Sequence, residues 1–142
     1  MRLLPLIALS LTLAACGTSA EDDVRDALRA YLTAVAAGDA RAACKRLTEN
    51  GKLGVFEFRK IHAGPDHPDE ACAEIAAEAK LPGGGAARLR AAAVGEVTVD
   101  GDSAGAVVDG VPVTLRRLEG EWLIDVFGFA SDVAGGRFVR RE

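Results

Sequence analysis

The sequence predicts an α+β domain in which three N-terminal helices pack on a curved antiparallel sheet of about four strands. Helical spacing of apolar residues dominates the first half of the chain, and strand-like alternation dominates the second. Turns of two or three residues join the strands, so neighbouring strands must be antiparallel. Because such a sheet curls over its helices, we expect a cone with an apolar interior. The 142 residues suffice for one small domain.

The first sixteen residues combine an apolar stretch with small residues and a cysteine. Arg2 precedes an apolar stretch, residues 3–13, that is too short to span a bilayer. Leu-Ala-Ala-Cys at residues 13–16 resembles the lipobox, which implies cleavage before Cys16 and attachment of a diacylglycerol, with chains such as palmitate, to its thiol. We therefore expect a signal peptide at 1–15 and a tether at 16–20. The alternative is an ordinary secretory signal whose cleavage site contains a cysteine.

The composition limits the kinds of partner that the protein is expected to bind. The net charge is −4, and no basic cluster is large enough to cover a phosphate backbone, so nucleic acid is not expected. The expected partner is the membrane, contacted through the lipid anchor. This places the domain on the extracytoplasmic face of the cell membrane.

The first predicted helix follows three acidic residues, which suit a helix N-terminus. A single stripe carries its apolar residues: Val24, Ala27, Leu28, Tyr31, Leu32 and Val35. Gly38 is expected just past its end. Asp39 can then cap a shorter helix whose inner face holds Ala43, Cys44 and Leu47.

The middle of the chain is less regular. Asn50-Gly51 predicts a turn, and residues 52–61 fit either a strand or a helix. A third helix should begin at Pro68 or Asp69 and stop at the Leu-Pro-Gly-Gly-Gly run of residues 81–85.

The predicted strands follow in close order, separated by glycine-containing turns: 89–99, 104–108, 111–118 and 121–129. Gly95 is a candidate bulge in the first. Trp122, Ile124 and Val126 alternate on one face of the last. Residues 131–142 are polar and predict a loosely ordered tail.

Cys44 and Cys72 remain after Cys16 is assigned to lipid. Both lie on inner helix faces, and an even pair in an oxidising compartment predicts a disulfide. Chain entropy gives such a bridge roughly 3.5 kcal/mol of stabilisation. A redox pair is the alternative, but the two cysteines lack Cys-x-x-Cys spacing.

Two phrases carry a family resemblance. Residues 30–39 read Ala-Tyr-Leu-Thr-Ala-Val-Ala-Ala-Gly-Asp, and residues 120–125 read Gly-Glu-Trp-Leu-Ile-Asp. Together they resemble the nuclear-transport-factor-2-like superfamily over most of residues 22–129, so the domain is set at 21–130. The resemblance implies three helices, a curved sheet and a pocket in the cone. It implies no single function, because the fold hosts enzymes, transport factors and accessory domains.

Tyr31 is the sharpest catalytic candidate. It stands eight residues before Asp39, where ketosteroid-isomerase-like members carry a tyrosine that donates to an enolate oxygen. That chemistry also needs a carboxylate base. Glu49, Glu57 and Asp125 are available, and none matches the family pattern. We favour Tyr31 as a core aromatic whose hydroxyl reaches a pocket or its rim.

A second candidate lies in the loop before the third helix. His62 and His67 occur there with Asp66, Asp69 and Glu70, a set that could ligate a metal. Zinc requires fixed tetrahedral geometry, which this loose spacing does not favour. A solvated acidic loop is the preferred interpretation, with no metal and no cofactor.

The remaining candidates also have plain interpretations. Trp122 could stack on a ligand, although packing between sheet and helix is favoured. Arg116-Arg117 and Arg140-Arg141 could bind anions, although an exposed strand edge and a tail are favoured.

The sequence thus predicts a non-catalytic, lipid-anchored envelope domain that binds a small apolar ligand or a partner protein. The expected pocket is lined by Tyr31, Trp122, Val35 and Ile124, with no catalytic residue. The alternative is a small isomerase or lyase of ketosteroid-isomerase type that uses Tyr31.

Overall fold

The fold was examined in a computed structural model that describes residues 18–58, 69–126 and 128–135, with side chains described outside 56–58. It is an α+β domain, as predicted. The described helices are α1 (Ala20–Ala36), α2 (Ala40–Lys45), α3 (Glu49–Phe58), α4 (Asp69–Ala77), α5 (Gly85–Ala91) and α6 (Phe129–Gly135). The strands are β1 (Val94–Asp100), β2 (Ser103–Val108), β3 (Val111–Leu118) and β4 (Glu121–Ile124).

The first two helices begin and end as the sequence predicts. Ser19 caps α1 by accepting a hydrogen bond from the Asp22 N–H at 3.2 Å. Gly38 follows α1 with a φ of +71°, a left-handed conformation that suits glycine. Asp39 then caps α2 by accepting from the Ala42 N–H at 3.0 Å.

The three predicted helices correspond to α1, α2 and α4, but the described residues contain three more, so the expected number of three is not confirmed. Asn50 and Gly51 lie inside α3, so the predicted turn there is wrong. Residues 52–58 are helical, which decides between the two alternatives left open for them. The start of the predicted first strand, residues 89–91, belongs to α5. At the C-terminal end, β4 stops at Ile124 and residues 129–135 form α6, where a strand end and a loose tail were expected.

The four strands form one antiparallel sheet in the order β1-β2-β3-β4. The register shifts in β1 between Val94 and Val97, where Gly95 was the candidate bulge. In the described residues β1 and β4 do not pair with each other, so the sheet is open. A cone-shaped sheet remains a prediction. At the β4 edge, Leu47 forms an isolated parallel bridge with Ile124.

The core lies between the helices and one face of the sheet. Alternate residues of β2, β3 and β4 are buried on that face, while their neighbours are exposed. α1 packs against β1, β4 and α5, and α6 packs against α5 and β3. The largest fully buried aliphatic side chains from these elements are Leu28, Leu32, Leu89, Leu115 and Ile124. Among the described helices, none has the combined length and apolar character needed to cross a membrane.

Candidate functional site

A cavity of about 130 Å³ lies beside the C-terminal half of α1. α2, α4 and the residues around the start of α6 supply its other walls. The apolar side chains that line it include Tyr31, Val35, Ala43, Cys44, Leu47, Val55, Ala76 and Leu81. The polar side chains are fewer: Lys80, Ser131 and the Tyr31 hydroxyl. A mostly apolar concavity with a few polar groups is the usual composition of a small-ligand site.

Tyr31 forms part of the cavity wall and is held rigidly. Its residue is 4% exposed, and its ring stacks on Phe129 with 5.4 Å between ring centroids. Within the described residues its hydroxyl has no hydrogen-bond partner. Burial raises the pKa of the Tyr31 hydroxyl well above its ordinary value, so this group stays protonated in the folded protein. Tyr31 therefore presents a neutral hydrogen-bond donor at the cavity.

A disulfide joins two walls of the cavity. Cys44 on α2 and Cys72 on α4 form it, with their Cα atoms 6.0 Å apart, which confirms the predicted bridge. Cys72 is the only described residue of α4 that is fully buried. The bridge therefore fixes α4 against α2, and with it the wall that Ala76, Lys80 and Leu81 provide.

The four residues predicted to line one pocket occupy three different places. Tyr31 and Val35 line the 130 Å³ cavity. Ile124, the last residue of β4, is fully buried in the core. Trp122 lines a separate, more polar depression near the N-terminal half of α1, and the Arg117 guanidinium lies 5.4 Å from its ring centroid.

Two of the three candidate catalytic acids form polar contacts with other side chains, and the third lies outside the described side chains. Glu49 forms an ion pair with Lys52 at 3.0 Å, and Asp125 accepts a hydrogen bond from the Thr48 hydroxyl at 2.7 Å. The side chain of Glu57 is outside the described set. Among described residues, no aspartate or glutamate lines the cavity.

Lys52 was not singled out from the sequence, yet it is a central polar residue of this region. Its side chain is 11% exposed, and its ammonium lies 3.0 Å from Glu49 Oε1 and 2.8 Å from Asp69 Oδ1. The contact with Asp69 is the closer of the two ion pairs. Burial alone would lower the pKa of Lys52, but the two carboxylates outweigh it and raise the pKa. The i, i+3 spacing of Glu49 and Lys52 signals this pair once the segment is known to be helical.

The remaining sequence candidates are dispersed. His62, His67 and Asp66 lie outside the described residues, as do Arg140 and Arg141. Glu70 pairs with Arg41 at 3.4 Å on the surface. Arg117 pairs with Asp102 at 2.9 Å. The described part of the chain contains no cluster of three or more side chains able to hold a metal ion.

The sequence and fold were also compared with known proteins. No protein-family model matches the chain, and neither a curated protein nor a solved structure matches it significantly.

Proposed function

We propose that this protein is a non-catalytic, lipid-anchored domain of the cell envelope that binds a small apolar ligand in the cavity beside Tyr31. The observation that carries the proposal is the cavity itself, whose walls are mostly alanine, valine, leucine and aromatic carbon. Apolar cavities of roughly 150 Å³ accept a benzene-sized molecule, so the ligand group that enters should be a small ring or a short alkyl chain.

The anchor is part of the same proposal. Cys16 lies outside the described residues, and α1 begins at Ala20, only a few residues later. Acylation of Cys16 would hold the domain at the extracytoplasmic face of the cell membrane, and several chains on one residue bind durably. Replacing Cys16 with alanine should release the protein from membranes or leave it unprocessed. A Cys16→Ala protein that still fractionates as mature and membrane-bound contradicts the anchor.

A nuclear-transport-factor-2-like fold with a cone-shaped sheet is the structural part of the proposal. Its support is the order of elements: a long first helix ending at Gly38-Asp39, further helices, then a four-stranded meander. The phrase Gly120–Asp125 spans the turn into β4 and the whole of that strand. These features agree with the resemblance seen in the sequence without fixing a ligand.

The isomerase alternative needs a carboxylate that faces the same ligand as Tyr31. Glu49 and Asp125 are engaged with Lys52 and Thr48, at 3.0 Å and 2.7 Å respectively. Ligand binding therefore accounts for the described cavity with fewer requirements.

A test uses the purified lipoprotein in a non-ionic detergent, with benzene as the probe. Saturable NMR shift changes should appear at Ala43, Val35 and the ring of Tyr31. Ala76→Leu places a larger side chain in the cavity wall and should abolish those shifts. Ala87→Leu, at an exposed position of α5 away from the cavity, serves as the matched control and should leave them intact. If benzene produces no saturable shifts in the wild type, the cavity is not a ligand site. A protein partner would then be the remaining form of the proposal.

A further inference from the structure

Three polar side chains line the cavity, and each can donate a hydrogen bond. They are the Tyr31 hydroxyl, the Lys80 ammonium and the Ser131 hydroxyl. Lysine has no acceptor atom, and the buried tyrosine stays protonated because its pKa is raised. The described lining contains no carboxylate that could use these donors. The cavity walls are thus mostly apolar, and each described polar side chain that lines them can donate a hydrogen bond.

Lys80 supplies the only cationic side chain in the described lining. It lies between α4 and α5 and is exposed, and it forms no ion pair with any described residue. Tyr31 is the opposite kind of group: it is 4% exposed, and its hydroxyl has no partner among the described residues. The Tyr31 hydroxyl can therefore donate a hydrogen bond to a ligand or water in the cavity.

Resting on the function proposed above, we infer that the ligand is a small apolar carboxylic acid. Its ring or alkyl chain fills the cavity, and its carboxylate lies at the polar part beside Lys80. A carboxylate accepts several hydrogen bonds at once, so Tyr31 or Ser131 can donate to it together with Lys80. A single lysine matches one negative charge, whereas phosphate sites are generally built from several charged or backbone donors.

The test compares benzoate with benzamide, a neutral molecule of nearly the same shape. Binding is measured by NMR titration of the purified lipoprotein at low ionic strength. A partly exposed ion pair should make benzoate bind about fivefold more tightly than benzamide. Raising the salt concentration should reduce that preference, because the pair is partly exposed to solvent.

Lys80→Gln should remove the preference for benzoate over benzamide, and Lys80→Arg should restore it. The matched control is Lys45→Gln, an exposed lysine at the end of α2 that does not line the cavity. If benzoate and benzamide bind equally, or if Lys80→Gln keeps the preference, the inference is overturned while the binding function stands. If benzene, benzamide and benzoate all fail to bind, the cavity is not a ligand site and the ligand-binding form of the proposed function falls.

Discussion

The Thr48 hydroxyl donates a hydrogen bond to Asp125 Oδ1 at 2.7 Å, across 77 residues of sequence. The Thr48 hydroxyl oxygen also accepts a hydrogen bond from the Gly51 N–H at 3.0 Å, the interaction expected of a helix N-cap. The Thr48 N–H donates to the Ile124 carbonyl at 2.9 Å. One buried side chain therefore caps α3 and fixes the start of that helix to the end of β4.

Thr48→Val should lower the free energy of unfolding by about 2 kcal/mol. The variant keeps the shape of the side chain but loses the cap and leaves the Asp125 carboxylate without this donor. Urea unfolding followed by circular dichroism measures the loss. Thr48→Ser keeps the hydroxyl and should lose much less. A larger loss in Thr48→Ser than in Thr48→Val would show that packing of the methyl group, rather than the hydroxyl, matters here.

Gly51→Ala should destabilise the protein although alanine is the better helix former. A Cβ at Gly51 would lie 2.7 Å from the Ile124 carbonyl oxygen, a backbone atom that cannot move aside easily. The helix preference of alanine favours the variant by about 1 kcal/mol, and overpacking typically costs about 1–3 kcal/mol, so a net loss is expected.

Gly83→Ala is the control for that variant. A Cβ at Gly83 meets nothing within 4 Å, so its unfolding free energy should stay the same or rise slightly. An increase in stability for Gly51→Ala would contradict the close approach of α3 to β4.

Reduction of the disulfide should lower the free energy of unfolding by roughly 3.5 kcal/mol, because the bridge closes a long loop in the unfolded chain. The sequence separation of Cys44 and Cys72 is 28 residues. Urea unfolding with and without a phosphine reductant measures the difference. The double variant Cys44→Ala, Cys72→Ala should not respond to reductant. Thiol titration of the denatured protein that reveals both cysteines free would refute the bridge.

Tyr31→Phe should change how stability depends on alkaline pH. Burial raises the pKa of Tyr31 in the folded state. Below the ordinary tyrosine pKa of 10.0 the hydroxyl is protonated in both states, so its contribution to the free energy of unfolding does not change with pH there. Above that pH the unfolded chain loses the proton and the folded protein keeps it. The free energy of unfolding then falls by about 1.4 kcal/mol per pH unit.

The phenylalanine variant has no hydroxyl to titrate, so it lacks this fall in the free energy of unfolding at alkaline pH. Its unfolding free energy should lie within about 1 kcal/mol of wild type at pH 8, since the hydroxyl has no described partner, and above wild type at pH 11. Urea unfolding at both pH values makes the comparison. An equal decline in the two proteins would mean that Tyr31 is not buried as described.

The elements with regular spacing could be predicted from the sequence. The stripe from Val24 to Val35 defines α1, and the short glycine turns define the antiparallel sheet. The disulfide could be predicted because both cysteines lie on inner helix faces in a chain with a predicted export signal. Each of these signals is local in the sequence. In an exported chain, an even number of cysteines is enough to predict a disulfide.

The misses have a common cause, which is tertiary contact. Asn50-Gly51 is a strong turn signal, but the Thr48 cap and the close approach of Gly51 to Ile124 stabilise a helix there. Phe129 extends a strand-like run in sequence, yet it begins α6 and stacks on Tyr31. The cavity could be only partly predicted: Tyr31 and Val35 share a helix face, whereas Lys80 and Ser131 reach it from segments far away in sequence.

The length of α1 sets the distance between the proposed anchor and the cavity. Its 17 residues extend for about 25 Å at 1.5 Å per residue. Cys16 lies four residues before Ala20, so a lipid on Cys16 would hold the start of the helix within about 14 Å of the anchored residue. Tyr31 and Val35 lie in the C-terminal half of α1, which is farther from Cys16. When the helix stands away from the bilayer, the cavity opens in the aqueous phase, where an ionised acid is soluble and a neutral hydrocarbon is scarce.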